Sequence, residues 1–242
     1  GYVEVEDFAP ALEYGNMWCA CQEAWSQGTS WNNKLAKYCN YLYSVYPDNR
    51  EEIQYWKRIC LQHFKAYLEV WSEDEKQTKY LMQEQPFSVN YAVSDYLVVK
   101  LRGVFDGVFS NRGIWLKEDK VKGEKYINPL SLENGLSNNL QTMIYLVALK
   151  TMKAQKHPKL KSSKIKGVLY NVAKRPLSQY YPPKRRKGRM KQGKREGAES
   201  VRDFIKRAVY EPCTQDPDSN FFRIEAEITE KEIEEFEVKT LK

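Results

Sequence analysis

The stretch GVFDGVFSNRGIWLKEDKV, residues 103–121, decides the fold expected for this chain of 242 residues. β-Branched and aromatic residues flank a central NRG, which has the composition of a tight turn, so the stretch predicts a β-hairpin. Asp106 lies on the first predicted strand, and Glu118 and Lys120 lie on the second. Because successive side chains point to opposite faces of a strand, Glu118 and Lys120 share one face and Asp119 points to the other.

Two carboxylates and an amine on neighbouring strands indicate a metal site. Burying such charges is costly, but the cost is offset if Asp106 and Glu118 hold a hard divalent cation. Mg²⁺ or Mn²⁺ prefers oxygen ligands and keeps water and phosphate in its remaining positions, so it can activate water against a phosphodiester. Lys120 would position that water or stabilise the transition state. The alternative is an edge strand on which Glu118 and Lys120 are ordinary solvated residues.

The rest of the chain is predicted to combine helices and strands. Apolar residues recur at helical spacing over residues 10–82, with a break at Pro47, and a strand pattern begins at residue 86. Together with the hairpin, this strand gives a three-stranded β-meander. The later predicted elements are a helix over 137–153 with Ser137 as its N-cap, a buried strand over 165–173, a helix over 200–209, a strand over 221–228 and a last helix opened by a capping box at Thr229.

Gln141 and Tyr145 lie four residues apart on the predicted helix and therefore on the same side of it. Both side chains can donate hydrogen bonds to phosphate oxygens or to water bound by a metal. The alternative is that both residues belong to the helix surface and to packing at the edge of the core.

The order G-x-x-D, then E-x-K on the next strand, then Q-x-x-x-Y on the following helix resembles the PD-(D/E)xK nuclease superfamily. It most resembles the RecB-type branch of recombination exonucleases and phage proteins, over the chain from about residue 84. The resemblance implies an α/β fold: a restriction-endonuclease-like core, with a mixed central sheet flanked by helices, and an N-terminal helical region. It also implies the roles of the site residues. These are Asp106 and Glu118 as metal ligands, the backbone carbonyl of Asp119 as a further ligand, Lys120 as the catalytic lysine, and Gln141 and Tyr145 as a supporting pair.

The sequence departs from the family pattern in several places. The nominal Pro is absent, and Val121 stands where a Thr often follows the lysine. A G-x-x-x-H motif of RecB-type relatives would align with Gly15 and Cys19, which leaves Glu23, four residues further on, either as a metal ligand or as a solvent-facing helix residue. Some relatives hold an iron–sulfur cluster with late cysteines. Cys213 is the one late cysteine, so no cluster is expected in this chain, and a longer natural protein with more cysteines is left open.

The net charge of +7 hides one intensely basic segment. Residues 150–195 contain 17 Lys and Arg and no acid, which leaves 22 Lys and Arg against 32 acids elsewhere. Such a segment favours contact with a polyanion, nucleic-acid phosphates first and an anionic membrane surface second, and the alternative is a solvated loop without a partner. The residues predicted to contact DNA are Lys184, Arg185, Arg186, Lys187, Arg189 and Lys191.

The composition of the chain argues against several other classes of protein. Two histidines exclude most histidine-dependent chemistry. Five cysteines, an odd number, favour a reducing compartment. No apolar run approaches a membrane span and no secretory signal is apparent, so we expect a cytoplasmic protein of a bacterium or phage-infected cell, without a membrane partner.

The sequence therefore predicts a Mg²⁺- or Mn²⁺-dependent DNA nuclease, an exonuclease or DNA-end processing enzyme of recombination or repair. The alternative is a non-catalytic nucleic-acid-binding or recombination-partner protein on the same fold. The predicted division is an N-terminal helical region (1–83), a nuclease core (84–175), a basic mobile loop (176–198) and a C-terminal helix-strand-helix part (199–242). A recombination or replication protein as a further partner, and the oligomeric state, are left open.

Overall fold

The computed structural model describes residues 7–123, 139–160, 164–176 and 200–241. The chain divides into two compact units. The helical unit comprises Gly1–Ser72 and Lys174–Phe221, and the sheet unit comprises Glu73–Ala173 and Phe222–Lys242. The four-part division at residues 83, 175 and 198 stays a prediction.

Three helices open the chain: α1 over Pro10–Ser26, α2 over Trp31–Val45 and α3 over Arg50–Gln77, the last of which continues into the sheet unit. Pro10 fits the first turn of α1, where its missing N–H would have no helical partner. The side chain of Ser30 caps α2 by accepting the N–H of Asn33. The predicted break at Pro47 is a short 3₁₀ turn, so the helical prediction is confirmed up to Gln77.

The core of the helical unit is aromatic. Trp18 packs edge-on against Phe64 and Tyr67, with ring centroids 5.2 and 5.4 Å apart. His63 is fully buried beside them, and its Nδ1 lies 2.8 Å from the hydroxyl of Tyr14. Burial lowers the pKa of His63 to about 3, so this histidine is a neutral member of the core at neutral pH.

The sheet contains β1 over Tyr80–Ala92, β2 over Val98–Ser110, β3 over Ile114–Gly123, β4 over Ile165–Arg175 and β5 over Phe221–Glu227, hydrogen-bonded in that order. The first three strands are antiparallel, which confirms the predicted meander. Ile114, at the start of β3, donates its N–H to Lys164, immediately before β4, so these strands run in the same direction. Ile228 after β5 donates to Lys166 near the start of β4, so β5 is antiparallel and the sheet is mixed.

The first strand begins earlier than the sequence indicates. Residue 86 was the expected start and residues up to 82 were expected to be helical, but β1 begins at Tyr80. That prediction is wrong because Tyr80 pairs with Phe109 across the sheet, a long-range contact that overrides the local pattern. The register shifts between Tyr80 and Met82, and Glu84 has a left-handed φ of 43°, so the early part of the strand lacks a clean alternation.

Helix α4, over Leu140–Ala154, packs against the sheet. Leu146 and Val147 of this helix share a buried apolar cluster with Phe105 of β2 and Leu116 of β3. Ser137, the N-cap that the sequence predicts for this helix, lies outside the described residues, and that prediction is wrong. Asn139 caps the helix, because its side chain accepts the N–H of Thr142.

The C-terminal elements follow the predicted order. The helix expected over 200–209 is α5 over Val201–Ile205, and it continues through a π turn into α6 over Glu211–Gln215. The capping box at Thr229 is confirmed at the start of α7, Glu230–Phe236. The mixed α/β, restriction-endonuclease-like fold with an N-terminal helical region is thus confirmed. Among the described residues, no helix is long and apolar enough to cross a membrane.

Candidate active site

The hairpin β2–β3 brings the predicted acidic residues together. Its antiparallel ladder pairs Gly107 with Lys117, and Asp106 and Glu118 adjoin this pair on their strands, close enough for the charge of Glu118 to raise the pKa of Asp106. The backbone N–H of Asp119 donates a hydrogen bond of 2.8 Å to Oδ2 of Asp106. One carboxylate is therefore fixed directly by the backbone of the E-x-K tripeptide.

Glu118 is the most deeply buried carboxylate of the site, with 1% of its surface exposed. Its Oε2 lies 2.8 Å from Nζ of Lys120, on the shared face that the strand period predicts. Its Oε1 is buried and finds no hydrogen-bond donor within the part of the chain that the structure describes. Burial raises the pKa of the Glu118 carboxyl, although the Lys120 ammonium favours its charged form.

Asp106 has an unfavourable environment for its charge. Burial raises the pKa of the Asp106 carboxyl, and the nearby charges of Asp119 and Glu118 raise it further. The hydrogen bond from the Asp119 backbone acts in the opposite direction but does not compensate. Two neighbouring carboxylates that each resist ionisation would be stabilised in the charged form by a cation between them.

The donor set fits a hard divalent metal ion. Asp106 and Glu118 offer carboxylate oxygens, and the buried Oε1 of Glu118 lacks a protein donor among the described residues. Those residues contain no group of three acidic, histidine or cysteine side chains placed to hold a metal. Mg²⁺ is commonly held by one or two carboxylates and completes its shell with water and substrate phosphate, so a pair is sufficient.

Gln141 and Tyr145 stand next to each other on α4, as the helical spacing predicts. Nε2 of Gln141 lies 3.2 Å from the hydroxyl of Tyr145. The ring of Tyr145 packs edge-on against Phe87 and Phe105, with centroids 5.3 and 5.8 Å away. The Tyr145 ring therefore packs at the edge of the core, and its hydroxyl pairs with the side chain of Gln141 on the same helix.

The glycine of the G-x-x-D motif has a steric role. A Cβ on Gly103 would lie 2.8 Å from the ring of Phe87 and 2.9 Å from the ring of Tyr145. These separations are shorter than van der Waals contact, so a larger residue would displace one of the rings. Gly103 thereby lets Tyr145 approach β2 closely.

Two sets of predicted site residues are not brought to this hairpin by any described contact. Glu23 lies on α1 in the helical unit, where its Oε2 pairs with Nζ of Lys34 at 2.9 Å, and its metal role stays a prediction. The predicted DNA-contacting residues lie outside the described residues. They are Lys184, Arg185, Arg186, Lys187, Arg189 and Lys191.

Sequence reasoning missed three residues around the site. Lys117 and Asn171 contact the side chain of Asp119 on the face opposite Glu118. Glu84 lies on β1 between residues that pair with Phe105 and Gly107, and its charge further raises the pKa of Asp106. Strand alternation could have shown that Lys117 and Asp119 share a face, but no local signal reveals Asn171 or Glu84.

The family assignment agrees with this geometry. A family model described as the PD-(D/E)XK nuclease superfamily matches residues 4–237, nearly the whole chain. The protein therefore belongs to the PD-(D/E)XK nuclease superfamily, whose members generally hydrolyse phosphodiester bonds and usually use divalent metals such as Mg²⁺. A comparison with curated proteins found no match. The superfamily part of the predicted resemblance is confirmed, and the RecB-type and phage parts stay predictions.

Proposed function

We propose that this protein is a Mg²⁺- or Mn²⁺-dependent deoxyribonuclease. The observation that carries the proposal is the buried carboxylate of Glu118, which has one oxygen on Lys120 and the other without a donor among the described residues, beside Asp106. An ion pair alone would leave such an oxygen unsatisfied, at a cost of about 1–3 kcal/mol. A site that binds a metal uses that oxygen.

The residues of the hairpin divide the chemistry between them. Asp106, Glu118 and the backbone carbonyl of Asp119 would hold the metal, and Glu23 is a further candidate ligand. The bound ion supplies Lewis acidity, which lowers the pKa of a water molecule and neutralises charge on the phosphate. Lys120 orients the attacking water and stabilises the anionic phosphate, since its ammonium is a compact donor with 20% of the side chain exposed.

Polar groups near the hairpin would orient the substrate. Gln141 and the hydroxyl of Tyr145 can donate to a phosphate oxygen, and the basic residues from Lys184 to Lys191 would contact the DNA backbone. Phosphate contacts of this kind carry no sequence information, so we expect cleavage without sequence specificity. The role we favour is exonucleolytic or DNA-end processing in phage or bacterial recombination or repair, in the cytoplasm.

The test compares metal-dependent degradation of labelled linear DNA by the parent, Glu118→Gln and Lys120→Met. We expect cleavage by the parent with Mg²⁺ or Mn²⁺ and a loss of at least about 100-fold in both variants. Lys231→Met is the matched control, because Lys231 is an exposed lysine of α7 with 85% of its side chain in solvent. Variants that cleave as fast as the parent would show that the assigned site is wrong.

Two further outcomes separate the remaining possibilities. If the parent shifts DNA in a gel but never cleaves it with either metal, the protein is a non-catalytic nucleic-acid-binding member of the superfamily. A covalently closed circle added beside the linear DNA decides the mode of cleavage. An exonuclease leaves the circle intact, whereas an endonuclease cuts it.

A further inference from the structure

A buried cluster of charged residues contacts the E-x-K strand on the face opposite Glu118 and Lys120. We call it the anchor cluster and define it by Glu75, Lys117, Asp119, Asn171 and Arg223. All five residues belong to the sheet unit. The side chains of Lys117, Glu75 and Asp119 are 7, 9 and 6% exposed, so the cluster is largely shielded from water.

Asp119 has two partners in this cluster. Nζ of Lys117 lies 3.4 Å from Oδ2 of Asp119, and the amide of Asn171 donates to Oδ1. Lys117 comes from the same strand, whereas Asn171 comes from β4, which is adjacent to β3 in the sheet. Both carboxylate oxygens of Asp119 are thus occupied from two strands, and the side chain cannot turn without breaking a buried contact.

Lys117 is itself fixed by the rest of the cluster. Its Nζ lies 3.2 Å from Oε1 of Glu75, and Arg223 of β5 holds the same carboxylate at 2.5 Å. The hydroxyl of Tyr80 donates to Oε2 of Glu75 at 2.6 Å. The acids and bases alternate, so each buried charge has an opposite charge beside it, as a low-dielectric setting requires.

The backbone of Asp119 contacts the candidate metal site, whereas its side chain contacts the anchor cluster. Its N–H donates to Asp106, and it separates Glu118 from Lys120 in the chain. Any rotation of this peptide would move the hydrogen bond to Asp106 and the two functional side chains on the other face together. Fixing the Asp119 side chain therefore fixes the candidate metal ligands.

We infer that Asp119 is a positioning residue whose side chain, clamped by Lys117 and Asn171, holds the E-x-K strand in its metal-binding geometry. The inference rests on the proposed function for its link to metal binding. The clamp itself rests only on the contacts of the anchor cluster. Groups that orient metal ligands from outside the coordination shell change metal affinity by about 10–100-fold when they are removed.

The main test is Asn171→Leu, which is close in size and removes the donor to Asp119. In the full chain we expect Mn²⁺ to bind at least about tenfold more weakly by titration calorimetry. We expect kcat to fall while KM for DNA stays within about twofold, because phosphate contacts made elsewhere are untouched. Asp119→Asn, which retains the shape and loses the ion pair with Lys117, is the second variant, with the same direction expected.

A control separates positioning from simple loss of stability. Thr229→Ala removes the capping box of α7, far along the chain from the hairpin, and so lowers the stability of the fold without touching the anchor cluster. We expect this variant to bind Mn²⁺ as the parent does. If Mn²⁺ binding is weakened equally in Thr229→Ala and Asn171→Leu, the anchor cluster contributes only to the stability of the fold, and the inference is overturned.

Amide hydrogen exchange gives a readout that does not depend on metal or activity. We expect the Asp119 amide, which is bonded to Asp106, to exchange at least about tenfold faster in Asn171→Leu than in the parent and in Thr229→Ala. Unchanged protection in Asn171→Leu would overturn the clamp even if the parent is an active nuclease. A parent that neither binds Mn²⁺ nor cleaves DNA, but shows the exchange difference, would refute the proposed function and leave the clamp standing.

Discussion

The backbone N–H of Asp119 lies 2.8 Å from Oδ2 of Asp106, so the middle residue of the E-x-K tripeptide holds the acid of the neighbouring strand. This hydrogen bond joins β2 and β3 through a side chain in addition to the strand ladder. It also holds Asp106 close to the E-x-K tripeptide, and the side chains of Glu118 and Lys120 take no part in it. The motif is therefore one connected unit of backbone and carboxylates.

Glu118→Gln should leave the metal-free protein as stable as the parent or more stable. The Glu118 carboxyl is buried and its pKa is raised, so its charged form destabilises the folded state when no cation is bound. The glutamine keeps the shape and an oxygen for Lys120. Thermal unfolding in EDTA checks this, and a gain of about 1 kcal/mol or less is the expected scale.

The same variant should lose the stabilisation that metal gives the parent. We expect Mn²⁺ to raise the melting temperature of the parent and not that of Glu118→Gln, because only a state that binds the ligand is stabilised by it. A variant that is clearly less stable than the parent in EDTA would contradict the view that this carboxylate exists for a cation. Glu235→Gln on α7, an exposed glutamate, is the control.

Acid should destabilise the helical unit through His63. The pKa of His63 is lowered by burial to about 3, whereas an unfolded histidine titrates near about 6.5. The stabilisation is complete above the unfolded pKa and is lost as the pH falls toward the folded pKa, because only the unfolded chain takes up the proton. Between pH 7 and pH 5 the loss should be about 2 kcal/mol from this residue alone.

The matched comparison for the acid effect is His63→Gln, which does not titrate and keeps an amide partner for Tyr14. Other groups titrate in both proteins, so the quantity to follow is the difference in the free energy of unfolding between them. We expect the parent's advantage to shrink as the pH falls from 7 to 5. A difference that stays constant over this range would contradict the neutral, buried state of His63.

Gly167→Ala should disrupt the pairing of β4 with β5. Gly167 has a φ of +150°, and a Cβ there would lie 2.0 Å from the carbonyl oxygen of Ala226. Backbone must move to admit the methyl group, so we expect a loss of about 3 kcal/mol or more in the free energy of unfolding.

Gly15→Ala on α1 is the control, since nothing lies within 4 Å of its added Cβ. Alanine is the better helix former by about 1 kcal/mol, so this variant should be as stable as the parent or more stable. Denaturant unfolding of both variants measures the contrast. Similar stabilities for the two alanine variants would show that β5 does not approach β4 as described.

Neutralising four basic residues should flatten the salt dependence of DNA binding. Replacing Lys184, Arg185, Arg186 and Lys187 by Gln removes up to four phosphate contacts, which lowers the slope of log K against log salt by about 3–4 on duplex DNA. The measurement is DNA affinity at a series of salt concentrations. The double variant Lys231→Gln/Lys239→Gln, at exposed positions of the C-terminal helical segment, should leave the slope unchanged.

If the slope of log K against log salt is unchanged in the fourfold variant, these basic residues do not contact DNA phosphates, and the alternative of a solvated loop is favoured. The comparison also reports on the mode of contact. A uniform loss of affinity on different DNA sequences indicates phosphate contacts, whereas a loss confined to some sequences would indicate base contacts.

Local patterns explain why much of the fold could be predicted. The meander follows from β-branched residues around a turn, and the capping box at Thr229 follows from a spacing of three residues. Where long-range contacts compete, the local pattern failed. The strand start at Tyr80 depends on Phe109. The cap of α4 was missed for a local reason, because a sequence pattern places the start of a helix only to within a few residues, and Asn139 rather than Ser137 is the N-cap.

The sequence by itself determined that Glu118 and Lys120 share one face of a strand and that Asp119 faces the other, because strand alternation is a property of the backbone. Only the tertiary structure decided what lies on each face. Asn171 is 52 residues from Asp119, and Glu75 is 42 residues from Lys117. No local rule brings such residues together, because contacts between distant elements arise when the sheet and the helices pack. The same packing buries Oε1 of Glu118 away from any donor among the described residues, and it thereby turns a common tripeptide into a candidate metal site.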